Sequence, residues 1–182
     1  MEKIPTDIPD VFIIRPNVFE DNRGYFYESF NKTKFKDLGI DFEFVQDNQS
    51  LSEKNVLRGL HFQNPPYEQG KLVRVIKGSV FDVAVDIRKN SPYFGKHISC
   101  ILSEKNKLML WIPPGFAHGF LTLEDNTIFF YKCTQQYNKE SEGVIFYNDV
   151  DLNIQWNIEN PILAERDKNA PLFKNYNFKT NY

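Results

Sequence analysis

Between Phe81 and Arg88 the side chains alternate without a break. Phe81, Val83, Val85 and Ile87 fall on one side of an extended chain, and Asp82, Ala84, Asp86 and Arg88 fall on the other. A period of two excludes an amphipathic helix, whose apolar stripe repeats about every 3.6 residues. Residues 71–77 precede this run across Lys77-Gly78, where glycine supplies positive φ, so 71–88 reads as a hairpin. Further strands are expected at 11–15, 25–30, 42–46, 56–63, 98–102, 108–112, 120–123 and 127–134. Many short strands separated by Gly, Pro and Asn predict an all-β chain closed into a sandwich, barrel or jelly roll. Helix is sparse; the best candidate is 32–38, opened by Asn31 as N-cap and closed by Gly39. Pro65-Pro66 and Pro113-Pro114-Gly115 mark loops inside the fold, and 174–182 reads as a surface strap or a partly mobile tail.

The chain has 182 residues, 41% of them hydrophobic, which suits one core and predicts a single domain over 1–182. Lys and Arg number 22 against 24 Asp and Glu, a net charge of -2 that gives nucleic acid no basic footprint. Cys100 and Cys133 lack paired spacing and read as reduced, mostly buried thiols of a cytoplasmic protein. No apolar run approaches the ~20 residues of a membrane helix, and the N-terminus has no leader pattern.

His61, His97 and His118 are the three histidines. His61 and His118 fall where strands meet loops, the usual place for sites, although each also suits a hydrogen-bonded structural role. His97 reads as an ordinary residue at a strand start. His61-x-Gln63 with Glu68 and a distant His118 resembles a metal-binding cupin pattern in which glutamine, a poor ligand, replaces one histidine. No metal site is therefore expected. Nucleophile elbows and phosphate-cradling glycine loops are absent, so no redox cofactor has a visible seat. Acid–base chemistry remains. A neutral imidazole can remove a proton beside a ketone if a fixed cation meets the enolate oxygen and a weak acid returns a proton from the other face. His61 is the candidate base, Lys71 the candidate cation and Tyr131 the candidate acid, though by pattern alone Tyr131 also fits a core tyrosine.

Seven motifs stand together: Asp21-x-Arg23-Gly24-x-Phe26-x-Glu28, Gln46-Asp47-Asn48-x-Ser50, Val56-Leu57-Arg58-Gly59-Leu60-His61-Phe62-Gln63, Gln69-Gly70-Lys71-Leu72-Val73-Arg74-Val75, Asp82-Val83-Ala84-Val85-Asp86, Pro114-Gly115-Phe116-Ala117-His118-Gly119-Phe120 and Tyr131-Lys132-x-Thr134. In this series the chain resembles the dTDP-4-dehydrorhamnose 3,5-epimerase family, cofactor-independent members of the cupin superfamily, from about Phe12 to Lys168. The resemblance implies a cupin-like jelly-roll barrel, usually a homodimer. It implies epimerisation of a 4-keto-6-deoxy hexose on its dTDP carrier at C3 and then C5, in dTDP-L-rhamnose biosynthesis for cell-surface polysaccharide. By the family pattern His61 is the proton acceptor backed by Asp167, Tyr131 the proton donor, and Lys71, Arg58 and His118 line the sugar pocket. Arg23, Glu28, Gln46, Asp47, Asn48 and Glu142 match substrate contacts, Arg166 is a further substrate-binding position where the family usually has lysine, and Tyr137 matches a tyrosine that stacks on thymine. The chain departs from the pattern at Arg166, Val144, Tyr147 and Tyr93, none of which is the acid, the base or Lys71. One geometric demand follows: strict alternation puts Arg58 and His61 on opposite faces, which a bulge near Gly59 would repair.

Overall fold

The computed structural model describes residues 1–179. These form strands β1 (Glu2–Pro5), β2 (Phe12–Arg15), β3 (Phe19–Asp21), β4 (Gly24–Phe26), β5 (Gln46–Ser52), β6 (Leu57–Gln63), β7 (Lys71–Lys77), β8 (Ser79–Asp86), β9 (His97–Ser103), β10 (Met109–Ile112), β11 (Phe116–Thr122), β12 (Thr127–Cys133) and β13 (Glu142–Val144), with helices α1 (Lys32–Asp37) and α2 (Glu165–Lys168). Neither helix is long and apolar enough to cross a membrane. Two sheets dominate, ordered β1-β2-β10-β7-β12-β5 and β13-β6-β11-β8-β9, while β3 and β4 pair only with each other. This is the expected mainly-β jelly roll, of the cupin-like kind.

Three apolar clusters account for the layering. Val73, Val75, Leu110 and Phe129 of the six-stranded sheet pack against Val80, Ala84, Leu102 and Phe120 of the five-stranded one, so the main core lies between the sheets. The outer face of the five-stranded sheet, with Leu57, Leu60, Val83 and Val85, is covered by Ile145, Leu152, Trp156 and Phe178. The outer face of the other sheet, with Phe12, Leu72 and Trp111, is covered by Phe35 of α1 and by Ile40. Burying one such aromatic side chain contributes roughly 2–3 kcal/mol. Both sheets are thus buried on both faces where they meet the site, which lets polar groups be held inside without water.

The alternation on β8 is as read, but its polar face points inward. Phe81, Val83 and Val85 pack under the outer cover, whereas Asp82 and Asp86 are fully buried. The hairpin reading of 71–88 is corrected. Gly78 does turn with φ +81, yet β7 pairs with β10 and β12 while β8 pairs with β11 and β9. The turn is a corner between sheets, with each arm paired on both edges inside its own sheet. The strand expected at 42–46 is displaced to β5, and 25–30 shrinks to β4. Helix α1 is as expected: the Asn31 side chain accepts from the Lys34 amide, and Gly39 follows with φ +99. The C-terminal strap is seen through Phe178, which is buried; residues 180–182 lie outside the described residues.

Candidate active site

A cavity of about 440 Å³ opens between the sheets. Its walls come from β5, β7 and β12 on one side and β6 and β11 on the other, with Tyr137 and Arg166 at its rim.

Strand β6 delivers His61 by means of a bulge. His118 of β11 pairs with His61 and Phe120 pairs with Arg58, so three steps on β6 oppose two on β11. The extra residue returns Arg58 and His61 to the same face, and both line the cavity. It also puts Leu57 and Leu60 together in the outer core. Glycine is required here: Gly59 has φ +142, and a Cβ on it would sit 2.5 Å from Gly119 Cα.

His61 Nε2 lies 2.7 Å from Asp167 Oδ1, and the Gly59 amide donates to Asp167 Oδ2 at 3.3 Å. Asp167 is supplied by α2 and is only 2% exposed. A buried carboxylate favours the tautomer with the proton on Nε2, which leaves Nδ1 as the free lone pair. Nδ1 has no hydrogen-bond partner among the described residues. Burial lowers the His61 pKa, Asp167 acts to raise it, and Arg166 and Lys71 lower it further; the net direction is downward. For Asp167, burial acts upward but is outweighed by His61, the Gly59 amide and Arg166, which hold the carboxyl below its ordinary value. Arg166 Nη2 stands 2.8 Å from His61 Nε2, and its Nη1 pairs with Glu142 Oε1 at 2.5 Å.

Tyr131 enters from the opposite sheet. It lies on β12 between Val73 of β7 and Asn48 of β5. Its hydroxyl makes no hydrogen bond with the described residues, and burial pushes its pKa up to about 12. Such a phenol stays protonated and can give its proton only to a strong base such as an enolate. Lys71 lies between the two: its Nζ donates to the His61 carbonyl at 3.4 Å and stands 6.0 Å from the Tyr131 ring centre. Burial lowers its pKa. An ammonium stripped of water gains most from a nearby anion, which is the electrostatic requirement of an oxyanion site. His118 is also buried, its Nε2 3.0 Å from both oxygens of Asp82.

The remaining expected contacts divide. Gln46, Asn48, Arg58, Tyr137, Glu142 and Arg166 line the cavity. Asp47 does not, because alternation on β5 turns its side chain to Lys132, at 2.8 and 3.0 Å. Arg23 and Glu28 are also outside this chain's cavity. Arg23 sits on the β3–β4 hairpin paired to Asp21 at 2.5 Å, and Glu28 pairs with Lys34 and accepts from Asn31 at 3.0 Å. Sequence reasoning gave no role to Asp82 or to Gln63 and Gln69 in the cavity wall. For Asp82 a signal existed, a carboxylate on one face of an otherwise apolar strand. Among the described residues no group of three or more His, Cys, Asp and Glu is placed to hold a metal ion.

An imidazole and a phenol on opposite walls of such a barrel, with a buried lysine between them, make a site of the class that acid–base epimerases of sugar nucleotides require. The family model for dTDP-4-dehydrorhamnose 3,5-epimerase matches residues 5–175, and the chain belongs to that family. It is 54% identical over 174 residues to the dTDP-4-dehydrorhamnose 3,5-epimerase of Shigella flexneri, covering 95% of this chain and 96% of that one. The crystal structure of the dTDP-4-dehydrorhamnose 3,5-epimerase of Elizabethkingia anophelis NUHP1 superposes with a TM-score of 0.93 at 51% identity, covering 98% and 99% of the two chains. A dTDP-6-deoxy-D-glucose-3,5-epimerase of Legionella pneumophila, solved in complex with dTDP-4-keto-L-rhamnose, gives 0.93 at 48% identity, covering 97% and 94%.

Proposed function

We propose that this chain is a cofactor-independent dTDP-4-dehydrorhamnose 3,5-epimerase, converting dTDP-4-dehydro-6-deoxy-D-glucose to dTDP-4-dehydro-L-rhamnose. The observation that carries the reading is the convergence of His61, backed by Asp167, with Tyr131 and Lys71 on one cavity. C3 and C5 both flank the C4 ketone, so a proton leaves each as its electron pair moves onto the C4 oxygen. Neutral His61 takes that proton through Nδ1, the Lys71 ammonium faces the enolate oxygen, and Tyr131 gives a proton to the opposite face of the carbon. The base then sheds its proton and the phenol regains one before the second carbon is processed. One proton is lost and one gained at each carbon, so the balance requires no oxidant or reductant. In this reading Arg58 and His118 border the sugar. Tyr137 stacks on the thymine, and Gln46, Asn48, Glu142 and Arg166 face the nucleotide; a flat base and a diphosphate suit an aromatic ring and a fixed guanidinium.

The working form in this reading is a homodimer. The β3–β4 hairpin pairs with neither large sheet and exposes Phe19 at 65% and Phe26 at 68%. Such a surface asks for a partner. Placed against a second copy, it would carry Arg23 toward that copy's cavity, which accounts for a substrate-contacting motif far from its own. The unpaired Cys100 and Cys133 suit the reducing cytoplasm.

The deciding assay supplies the 4-keto-6-deoxy sugar nucleotide in heavy water. Deuterium is expected at C3 and C5; label at one carbon only would demote the enzyme to a single-site epimerase, and label at neither would refute it. His61→Ala should abolish exchange while sparing dTDP affinity.

A further inference from the structure

Residues 135–138, which carry Tyr137, belong to no strand, yet their backbone is held at four points by glutamine side chains from outside the segment. Gln69 Nε2 donates to the Gln135 carbonyl at 2.8 Å, and Gln63 Nε2 donates to the Gln136 carbonyl at 3.1 Å. Gln46 Oε1 accepts from the Tyr137 amide at 2.8 Å, and Gln63 Oε1 accepts from the Asn138 amide at 2.6 Å. Gln63 Nε2 also donates to the Tyr67 carbonyl at 2.6 Å, so this one buried side chain ties two loops to the end of β6. The Tyr137 ring itself is 53% exposed, with a single hydrogen bond from its hydroxyl to Glu142 at 3.3 Å. Its orientation is therefore set mainly by the backbone beneath it.

The side-chain chemistry is specific. A glutamine amide offers two donor hydrogens and an acceptor on one neutral group, and Gln63 uses both functions. A carboxylate at 63 would keep the acceptor, lose the donors and add negative charge beside an incoming diphosphate. An imidazole there could not span both loops. The glutamine that makes residue 63 unsuited to a metal is thus employed in holding a loop.

We propose that Gln63, with Gln69, is a positioning residue that fixes Tyr137 at the rim and so sets affinity for the nucleotide half of the substrate. The proposal rests on the reading in which Tyr137 stacks on the base. A loop already in its bound geometry spares the ordering cost of binding and leaves proton transfer untouched.

The test is a double-mutant cycle with Gln63→Leu, Gln69→Leu and Tyr137→Ala, reading dTDP affinity by calorimetry and kcat and KM on the sugar nucleotide. Losing the amide bonds should weaken dTDP binding about tenfold for Gln63→Leu and about fivefold for Gln69→Leu. KM should rise by the same factors with kcat held within about twofold. In the Tyr137→Ala background the glutamine substitutions should add less than about twofold, because nothing remains to be positioned. A fall in kcat at unchanged KM, or additive losses with Tyr137→Ala, would overturn the proposal while leaving the stacking reading intact. Unchanged dTDP affinity in Tyr137→Ala alone would overturn the stacking reading, and the proposal with it. Should Gln63→Leu fail to fold, the half-buried Gln69 carries the same cycle.

Discussion

His61 sits among influences that pull its pKa in opposite directions. Burial lowers it, the Asp167 carboxylate raises it, and the Arg166 and Lys71 cations lower it again. A base must be neutral to act, so the rate of exchange should fall only as pH drops through a value below the ordinary 6.5. The Tyr131 pKa of about 12 puts that group's own alkaline limb beyond the neutral range. Arg166→Met removes a positive charge beside the ring and should move the acid limb upward. Asp167→Asn should move it downward and slow exchange by about 100-fold, because the imidazole loses its orienting anion. A pH profile of deuterium exchange checks both signs, and an unshifted limb in both variants would contradict the assignment. Asp167 also links pH to stability. With its folded pKa below the ordinary 3.8, its contribution is full above that value and is lost as pH falls through the lowered one.

At the scale of the element, β6 is the strand on which the site depends. Gly59→Ala should destabilise the fold by about 2–4 kcal/mol, since it adds a Cβ at φ +142 and against Gly119. Denaturant midpoints would register it, and a fall in kcat should accompany it because Arg58 and His61 share a face only through this bulge. The bulge was legible in the sequence as a conflict: two cavity residues three apart on a strand of period two. Most strands were legible for the same reason that β8 was, since alternating apolar side chains report one covered face. What alternation cannot report is which face is inside. Asp82 and Asp86 fall on the side opposite the apolar residues yet are fully buried, and the corner at Gly78 read as a hairpin because sheet membership depends on distant partners. The roles of His61, Lys71 and Tyr131 rested on chemistry and motif, and the structure brings all three to one cavity. Arg23, Glu28 and Asp47 were named by motif alone, which carries no information about which pocket, or whose, a side chain enters.

At the scale of the molecule, the exposed β3–β4 hairpin makes a prediction about assembly. Replacing Phe19 and Phe26 with serine should leave the two large sheets intact, halve the mass seen by sedimentation, and raise KM more than it lowers kcat. A dimer that persists with unchanged KM would remove the hairpin from the interface. The sheets themselves place Tyr131 and His61 on opposite walls, and between those walls the rings of Phe120 and Phe129 stack with centres 4.1 Å apart. These two rings work as a calliper: the thickness of a hydrocarbon core sets the gap into which a sugar ring must fit and turn. Trimming Phe129 to leucine should narrow that jaw, lowering kcat several-fold while dTDP, gripped by the outer loops, binds as before. The stereochemical fidelity of the reaction would then be a mechanical property of the barrel's interior, adjustable from Phe129, which stands behind the cavity wall that Phe120 lines.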